Sequence, residues 1–133
     1  MIFLDTSAIY AWTDRGDPRH AEARERLAAV LEGQEALVTH NYILVEAMSL
    51  VQSRLGMAAA LKLASDARAF EVEWVDRAAH QEAVRRWEQR GKRQVSFVDE
   101  VSFLIMRRRG VRTAFAFDAD FQTEGFAVFE GHG

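Results

Sequence analysis

The chain has 133 residues, of which 49% are hydrophobic and 28% are charged. This composition predicts a folded globular protein and excludes a disordered one. There is no cysteine, which excludes disulfides, thiolate zinc sites and thiol catalysis. The net charge of -3 argues against a broadly basic nucleic-acid-binding surface, although cations bound to clustered acids would cancel part of it.

Short apolar runs alternate with helical patterns along the chain. The predicted strands are Met1–Leu4, Ala36–Thr39, Phe70–Val75, Arg112–Phe117 and Phe126–Phe129. The predicted helices are Thr6–Thr13, Arg19–Leu31, Asn41–Leu55, Met57–Ala69, Ala78–Arg90 and Phe97–Arg109, with Gly or Pro at several of the breaks. The alternation predicts an α/β fold with a mostly parallel sheet. Since no linker, repeat or low-complexity segment interrupts it, we expect a single domain over residues 1–133.

The segment MIFLDTSAIY at the N-terminus lacks the basic region of a secretory signal. No apolar run approaches the roughly 20 residues that a membrane-spanning helix needs. We therefore expect a cytoplasmic protein without a membrane partner.

Two aspartates follow predicted strands directly. Asp5 comes after Met1–Leu4, and Asp118 comes after the apolar end of Arg112–Phe117. Each has an ordinary structural interpretation, helix capping for Asp5 and a turn for Asp118. In parallel sheets, however, ligands bind beyond the carboxyl ends of the strands. Asp120 is also near this end, but we assign it a turn role.

Glu46 lies within the apolar run Tyr42–Val51. A helix that is apolar nearly all round is expected to be buried, and a buried carboxylate needs a cation, a basic partner or a proton. No Lys or Arg lies one helical turn away on either side. This favours a functional role for Glu46, with a partner from elsewhere in the chain as the structural alternative.

Asp99 follows Ser96 in a Ser-x-x-Asp pattern that is typical of a helix N-terminus. Capping explains the pattern structurally, and it also places Asp99 in a first turn beside free N–H groups. Acids gathered at one sheet edge repel one another, and a hard divalent cation relieves that repulsion. Asp5, Glu46, Asp99 and Asp118 therefore predict a site that holds Mg²⁺ or Mn²⁺ and activates water for phosphoryl chemistry.

Other chemistries fit the sequence less well. A haloacid-dehalogenase-like phosphatase would require a second aspartate where the chain has Ser7, and no Gly-x-Gly-x-x-Gly follows the first strand to bind a dinucleotide. The four histidines share no metal-ligand spacing, so we expect surface or terminal roles for them: His20, His40, His80 and His132. The basic residues form two groups, residues 85–93 and residues 107–112, which are solvated helix faces or a local RNA-binding surface.

The motifs together resemble those of PIN-domain nucleases, and most closely those of VapC-type toxins of type II toxin–antitoxin pairs. The matching segments are IFLDTSAIYA, NYILVEAMSL, SFVDEVSFLIMRRRGV and AFAFDADFQTEGF. The resemblance implies a three-layer α/β/α fold with a short, mostly parallel central sheet. Carried over by position, it implies that Asp5, Glu46, Asp99 and Asp118 are catalytic and that Asp5, Asp99 and Asp118 ligate Mg²⁺ or Mn²⁺.

The same resemblance implies a ribonuclease that acts on tRNA or rRNA, forms a homodimer and is neutralised by a VapB-like antitoxin. It implies that Thr6 or Ser7 orients a carboxylate or water near the first acid. The chain departs from the family pattern at Ala116, where a hydroxyl residue often stands. Two alternatives remain: a PIN-type nuclease of RNA processing without a toxin role, and a catalytically idle binding module.

Overall fold

A computed structural model describes residues 1–131. The strands are β1 (Ile2–Leu4), β2 (Leu37–His40), β3 (Glu71–Glu73), β4 (Thr113–Phe115) and β5 (Ala127–Val128). The helices are α1 (Thr6–Thr13), α2 (His20–Glu32), α3 (Asn41–Leu55), α4 (Met57–Asp66), α5 (Arg77–Gln89), α6 (Phe97–Arg109) and α7 (Asp120–Thr123). A 3₁₀ turn at Ala67–Ala69 follows α4. All the predicted strands and helices are present, with ends displaced by a few residues.

The sheet is parallel throughout, in the order β3-β2-β1-β4-β5. The chain extends the sheet from β1 toward β3 on one side and then from β1 toward β5 on the other. The order reverses between β1 and β4, which is where parallel sheets open a ligand crevice at their carboxyl edge. Asp5 follows β1 and Asp118 follows β4 at this edge.

Helices cover both faces of the sheet, which confirms the predicted three-layer α/β/α architecture. The side chains of β1 are buried on both faces, as its uninterrupted apolar run predicts. The largest side chains of the core come from the central strands, α6 and α7: Phe3, Phe103, Phe115 and Phe121. Within residues 1–131, no helix has both the length and the apolar character that crossing a bilayer requires.

Helix α6 begins and ends where its sequence signals predict. The Ser96 side chain accepts a hydrogen bond from the Asp99 backbone N–H at 3.0 Å. Gly110 ends the helix with φ 67°, in the left-handed region that favours glycine. The cap confirms that Asp99 lies in the first helical turn.

Helix α3 differs from its expectation. Its fully buried residues form a single stripe, Ile43, Ala47 and Val51, while Val45 is 60% exposed and Glu46 is exposed as well. The prediction that the helix is buried nearly all round is therefore wrong. Only one face packs against α1, α4 and the sheet, so the apolar residues elsewhere on the helix are left partly or largely exposed.

The prediction of surface roles for the histidines is wrong for His40. Its ring is fully buried, its Nε2 lies 2.9 Å from Ser102 Oγ, and its Nδ1 accepts the Ile43 N–H at the start of α3. Burial lowers the pKa of His40 to about 3, so the ring is neutral at physiological pH. His40 is a structural link between β2, α3 and α6. His132 lies outside the described residues.

Candidate active site

An open cleft of about 600 Å³ lies at the carboxyl edge of the sheet. The carboxylates in its walls come from the end of β1, from α3, from the first turn of α6 and from the end of β4. The lining residues are Asp5, Thr6, Ser7, Glu46, Gln94, Val95, Ser96, Asp99, Asp118 and Asp120. The fold therefore brings all four acids selected from the sequence into one cleft.

Asp5 is held by its neighbour Ser7. Its Oδ2 accepts hydrogen bonds from the Ser7 backbone N–H at 3.1 Å and from Ser7 Oγ at 2.6 Å. The same Oγ accepts the Phe117 N–H at 3.0 Å, which ties the end of β4 to the end of β1. Burial raises the pKa of Asp5 to about 6, and the charges of Asp118 and Glu46 add to the rise, although the Ser7 hydrogen bonds oppose it.

Three carboxylates form the tightest group. One oxygen each of Asp99, Asp118 and Asp120 lie within 4.8 Å of one another. Burial, followed by the charges of Asp5 and Asp118, raises the pKa of Asp99 to about 8. The pKa of Asp120 is also raised, by burial and then by Asp118. The charges of Arg93 and Arg90 oppose the rise in the pKa of Asp120, but burial and Asp118 outweigh them. The local repulsion predicted from the sequence is therefore present.

Asp120 is the cleft residue that sequence reasoning placed only in a turn. It does form that turn, since its N–H donates to Asp118 Oδ1 at 2.7 Å. Its carboxylate nevertheless joins Asp99 and Asp118, whereas Asp5 lies in the cleft but outside the 4.8 Å group. β4 ends at Phe115 and α7 begins at Asp120, so the carboxylate is presented by the start of a short helix that was not predicted from the sequence. The spacing Asp-x-Asp after a strand was the available signal.

Glu46 lines the cleft, although it is not the buried carboxylate that the apolar sequence of α3 predicts. It is exposed on α3 and lines the rim of the cleft. Its charge contributes to the raised pKa of Asp5, which shows that it faces the other acids. Burial in an apolar helix was therefore the wrong argument for a residue that the fold does place at the site.

Several basic residues are engaged in ion pairs. Arg90, Arg93 and Arg107 bind Glu124, and Arg109 binds Glu71 and Glu73. Arg85 and Arg86 both bind Glu82. Most of the two basic groups is therefore held in ion pairs, and Arg90, whose side chain is 11% exposed, is not part of a solvated helix face. Lys92 lies in the segment between α5 and α6 that leads into the cleft wall at Gln94.

A larger cleft, of about 700 Å³, lies between α1, α2 and α4. Its walls include the apolar side chains Trp12, Leu27, Leu63 and Phe70. Among residues 1–131, the one group of carboxylates close enough to share a cation lies in the smaller cleft. The smaller cleft is therefore the candidate active site.

Comparison with known proteins agrees with this geometry. Residues 2–125 match the model of the PIN domain. Over 132 residues, 95% of each chain, the protein is 36% identical to the 23S rRNA-specific endonuclease VapC20 of Mycobacterium tuberculosis, in the CDC 1551 / Oshkosh and H37Rv strains. The crystal structure of M. tuberculosis VapC20, a Sarcin–Ricin loop cleaving toxin, superposes with a TM-score of 0.85 and 33% identity, covering 96% of this chain and 97% of VapC20.

A more distant structure shares the fold alone. FitAcB from Neisseria gonorrhoeae matches with a TM-score of 0.65 and 19% identity, over 97% of this chain and 96% of that one. The near-complete coverage by VapC20, in sequence and in structure, is what defines the relationship. The chain belongs to the PIN-domain family and, within it, to the VapC-type proteins.

Proposed function

We propose that this protein is an endoribonuclease that hydrolyses RNA phosphodiester bonds with the help of Mg²⁺ or Mn²⁺. One observation carries the proposal: three carboxylates lie within 4.8 Å of one another at the carboxyl edge of the sheet. Membership of the PIN family and the kinship with the endonuclease VapC20 support it.

The residues of the cleft fit a hard divalent cation. All the charged groups in its walls are carboxylates, the oxygen ligands that Mg²⁺ and Mn²⁺ prefer. The raised pKa values of Asp5 and Asp99 show that the fold holds these acids at a cost that a cation would relieve. The Thr6 hydroxyl is buried beside them without a hydrogen-bond partner among the described residues, and it could bind a ligated water.

We assign Asp99, Asp118 and Asp120 as the residues that hold the cation, with Asp5 completing the site. Asp5, Glu46, Asp99 and Asp118 remain the proposed catalytic acids. A bound cation would activate water and stabilise the charge that develops on the phosphate. Ser7 keeps the Asp5 carboxylate oriented, and the exposed Glu46 is free to accept a proton from the attacking water.

We infer that the substrate is ribosomal RNA. Of the two RNA classes expected from the sequence, rRNA is favoured by the relative named as a 23S rRNA-specific endonuclease and by the matched Sarcin–Ricin loop cleaving toxin. Gln94 in the cleft wall and Lys92, two residues before it, could contact the RNA backbone. Arg90, Arg93 and Arg107 all pair with Glu124, so an RNA phosphate would have to compete with that carboxylate for them.

We further propose that the protein is the toxin of a toxin–antitoxin pair, acts in the cytoplasm as a homodimer, and is neutralised by a VapB-like antitoxin that places a basic residue among the acids. The three carboxylates that lie within 4.8 Å of one another can accept a cation of either kind, a metal or a guanidinium. Growth arrest on expression without the antitoxin is the expected result. Unimpaired growth with active protein in the cells would instead favour an RNA-processing nuclease.

The proposal is tested by incubating intact ribosomes and total RNA with the purified protein. We expect discrete rRNA fragments with Mg²⁺ or Mn²⁺, none with EDTA, and none with Asp99→Asn. The matched control is Asp66→Asn, because Asp66 is an exposed acid of α4 that pairs only with Lys62. Cleavage that persists in EDTA would contradict metal dependence, and the absence of cleavage by folded, antitoxin-free protein would favour an idle binding module.

A further inference from the structure

Arg90, directly after α5, joins two buried glutamates. Its Nε donates to Glu100 Oε2 at 2.6 Å, and its two terminal nitrogens donate to the two oxygens of Glu124 at 2.8 and 3.0 Å. The side chains of Arg90, Glu100 and Glu124 are 11%, 2% and 10% exposed. The guanidinium carbon also lies 5.4 Å from the centre of the Phe103 ring. Each of the three guanidinium nitrogens therefore donates a hydrogen bond to one of these glutamates.

Each of the two glutamates lies within a helical turn of an aspartate whose side chain lines the cleft. Glu100 follows Asp99 in the first turn of α6. The Glu124 backbone N–H donates to the Asp120 carbonyl oxygen at 2.9 Å, across the single turn of α7. One guanidinium thus binds both of the elements that present Asp99 and Asp120.

Helix α7 depends on such contacts for its orientation. It spans only Asp120–Thr123, and a helix of one turn has almost no stability of its own. Phe121 anchors it in the core against Phe3 and Phe103. The hydrogen bond from the Asp120 N–H to Asp118 Oδ1 holds the start of α7, and the ion pairs of Glu124 hold its end.

We propose that Arg90 is a positioning residue of the proposed nuclease site, which sets the spacing of the Asp99 and Asp120 carboxylates by holding Glu100 and Glu124 together. The inference rests on the proposed metal-dependent function and extends it to a residue outside the cleft. Arg93 and Arg107 also bind Glu124, but among the described residues neither contacts Glu100. Arg107, in the last turn of α6, therefore joins that end of the helix to Glu124. Within residues 1–131, Arg90 is the arginine that links Glu124 to Glu100 in the first turn of α6, beside Asp99.

The test compares Arg90→Lys with Arg86→Lys in the full chain. A lysine keeps the charge but cannot reproduce the planar fork that reaches both glutamates. Arg86 lies one turn earlier on α5, and within the described part of the chain its ion pair is with Glu82 on the same helix. Binding of Mn²⁺ alone is measured by calorimetry, with melting temperature and the separate kcat and KM for RNA cleavage recorded beside it.

We expect Arg90→Lys to weaken Mn²⁺ binding about 10- to 100-fold, the range seen when a residue that orients metal ligands is lost. We also expect kcat to fall while KM for RNA changes little, and Arg86→Lys to bind Mn²⁺ like the wild type. A lower melting temperature with unchanged Mn²⁺ affinity would overturn the proposal, because it would show a purely structural ion pair.

A second variant keeps the test decisive if Arg90→Lys does not fold. Glu124→Gln replaces one of the two carboxylate oxygens that accept hydrogen bonds from Arg90, and Glu82→Gln is its control. We expect Glu124→Gln to lose Mn²⁺ affinity as Arg90→Lys does, and Glu82→Gln to keep it. If the wild-type protein itself bound no Mn²⁺, the metal-dependent function would fall first. Equal affinities in wild type and variant would overturn only the role of Arg90.

Discussion

Asp99 and Glu100 are consecutive residues of α6, yet they belong to two acidic regions of opposite character. Asp99 faces the cleft, where carboxylates surround it and its pKa rises to about 8. Glu100 faces Arg90, which also binds Glu124 and, with Arg107 and Arg93, holds the pKa of Glu124 well below its usual range. Both regions are poorly exposed, so the sign of the neighbouring charge decides the difference.

The comparison separates function from scaffold. In the ion-paired region, hereafter the Arg90 network (Arg90, Glu100, Glu124, Arg93 and Arg107), the attraction between unlike charges fixes the ends of α5, α6 and α7. In the cleft, the repulsion between like charges remains until a cation enters. The two regions should therefore respond in opposite directions to mutation and to pH.

The largest effect is expected from breaking the Arg90 network. Arg90→Met leaves the buried Glu100 without its arginine and removes one of the three arginines that bind Glu124, which should lower the free energy of unfolding by about 3–5 kcal/mol at pH 7. A depressed pKa means that Glu124 contributes stability above its unfolded pKa, near 4.5, and that this contribution is lost as the pH falls below that value. The part of the deficit that comes from Glu124, measured by urea unfolding, should therefore shrink as the pH falls below about 4.5. A deficit independent of pH would indicate lost packing on Phe103 instead.

Neutralising an acid of the cleft should do the reverse. With a folded pKa of about 8 against an ordinary value of 3.8, Asp99 binds more protons in the folded state, so its contribution to stability falls as pH rises through this window. Asp99→Asn should raise the unfolding free energy of the metal-free protein by about 2 kcal/mol at pH 8, since one pKa unit is about 1.4 kcal/mol and the coupled acids share the shift. At pH 4, close to the ordinary value of 3.8, the gain should be near zero. Calorimetric melting at both pH values checks this, and a loss of stability at pH 8 would contradict it.

Proton release on metal binding sharpens the same comparison. A cation must displace the proton that Asp99 carries below pH 8. The affinity for Mn²⁺ should therefore rise about tenfold between pH 6 and pH 7 and level off above pH 8, as one proton per site requires. Calorimetry in two buffers of different ionisation enthalpy measures the proton directly. An affinity independent of pH would show that Asp99 is ionised before the metal binds.

The smallest effect on stability is expected at the rim of the cleft. Glu46 is exposed on α3, so Glu46→Gln should change the free energy of unfolding by less than about 0.5 kcal/mol. RNA cleavage should nevertheless decrease, because the variant loses the proposed proton acceptor. Melting temperature and cleavage rate are measured on the same sample, with Glu88→Gln on the exposed face of α5 as the control. Full activity in Glu46→Gln would remove Glu46 from the catalytic set.

Periodicity and caps predicted most of the architecture. The buried run of β1, the Ser96 cap and Gly110 at the end of α6 are local signals, and the structure has each of them where the sequence indicates. The exposure of Glu46 and the burial of His40 were not predicted correctly, because they depend on which face of the helix or strand the rest of the chain covers. The α3 sequence looks buried on all sides, yet only one stripe of it is.

The sequence by itself determined the alternation of strands and helices, the positions of Asp5, Asp99 and Asp118 at element ends, and the likeness to PIN nucleases. Tertiary structure alone decided that Asp120 joins the carboxylate group. It also decided that Asp99 lies among other carboxylates whereas Glu100 binds an arginine. Propensity, capping and periodicity act over a few neighbouring residues, so they can be read along the chain. Burial and ion pairing depend on residues that are distant in sequence, such as Arg90 and Glu124. These contacts form only when the chain has folded around the sheet.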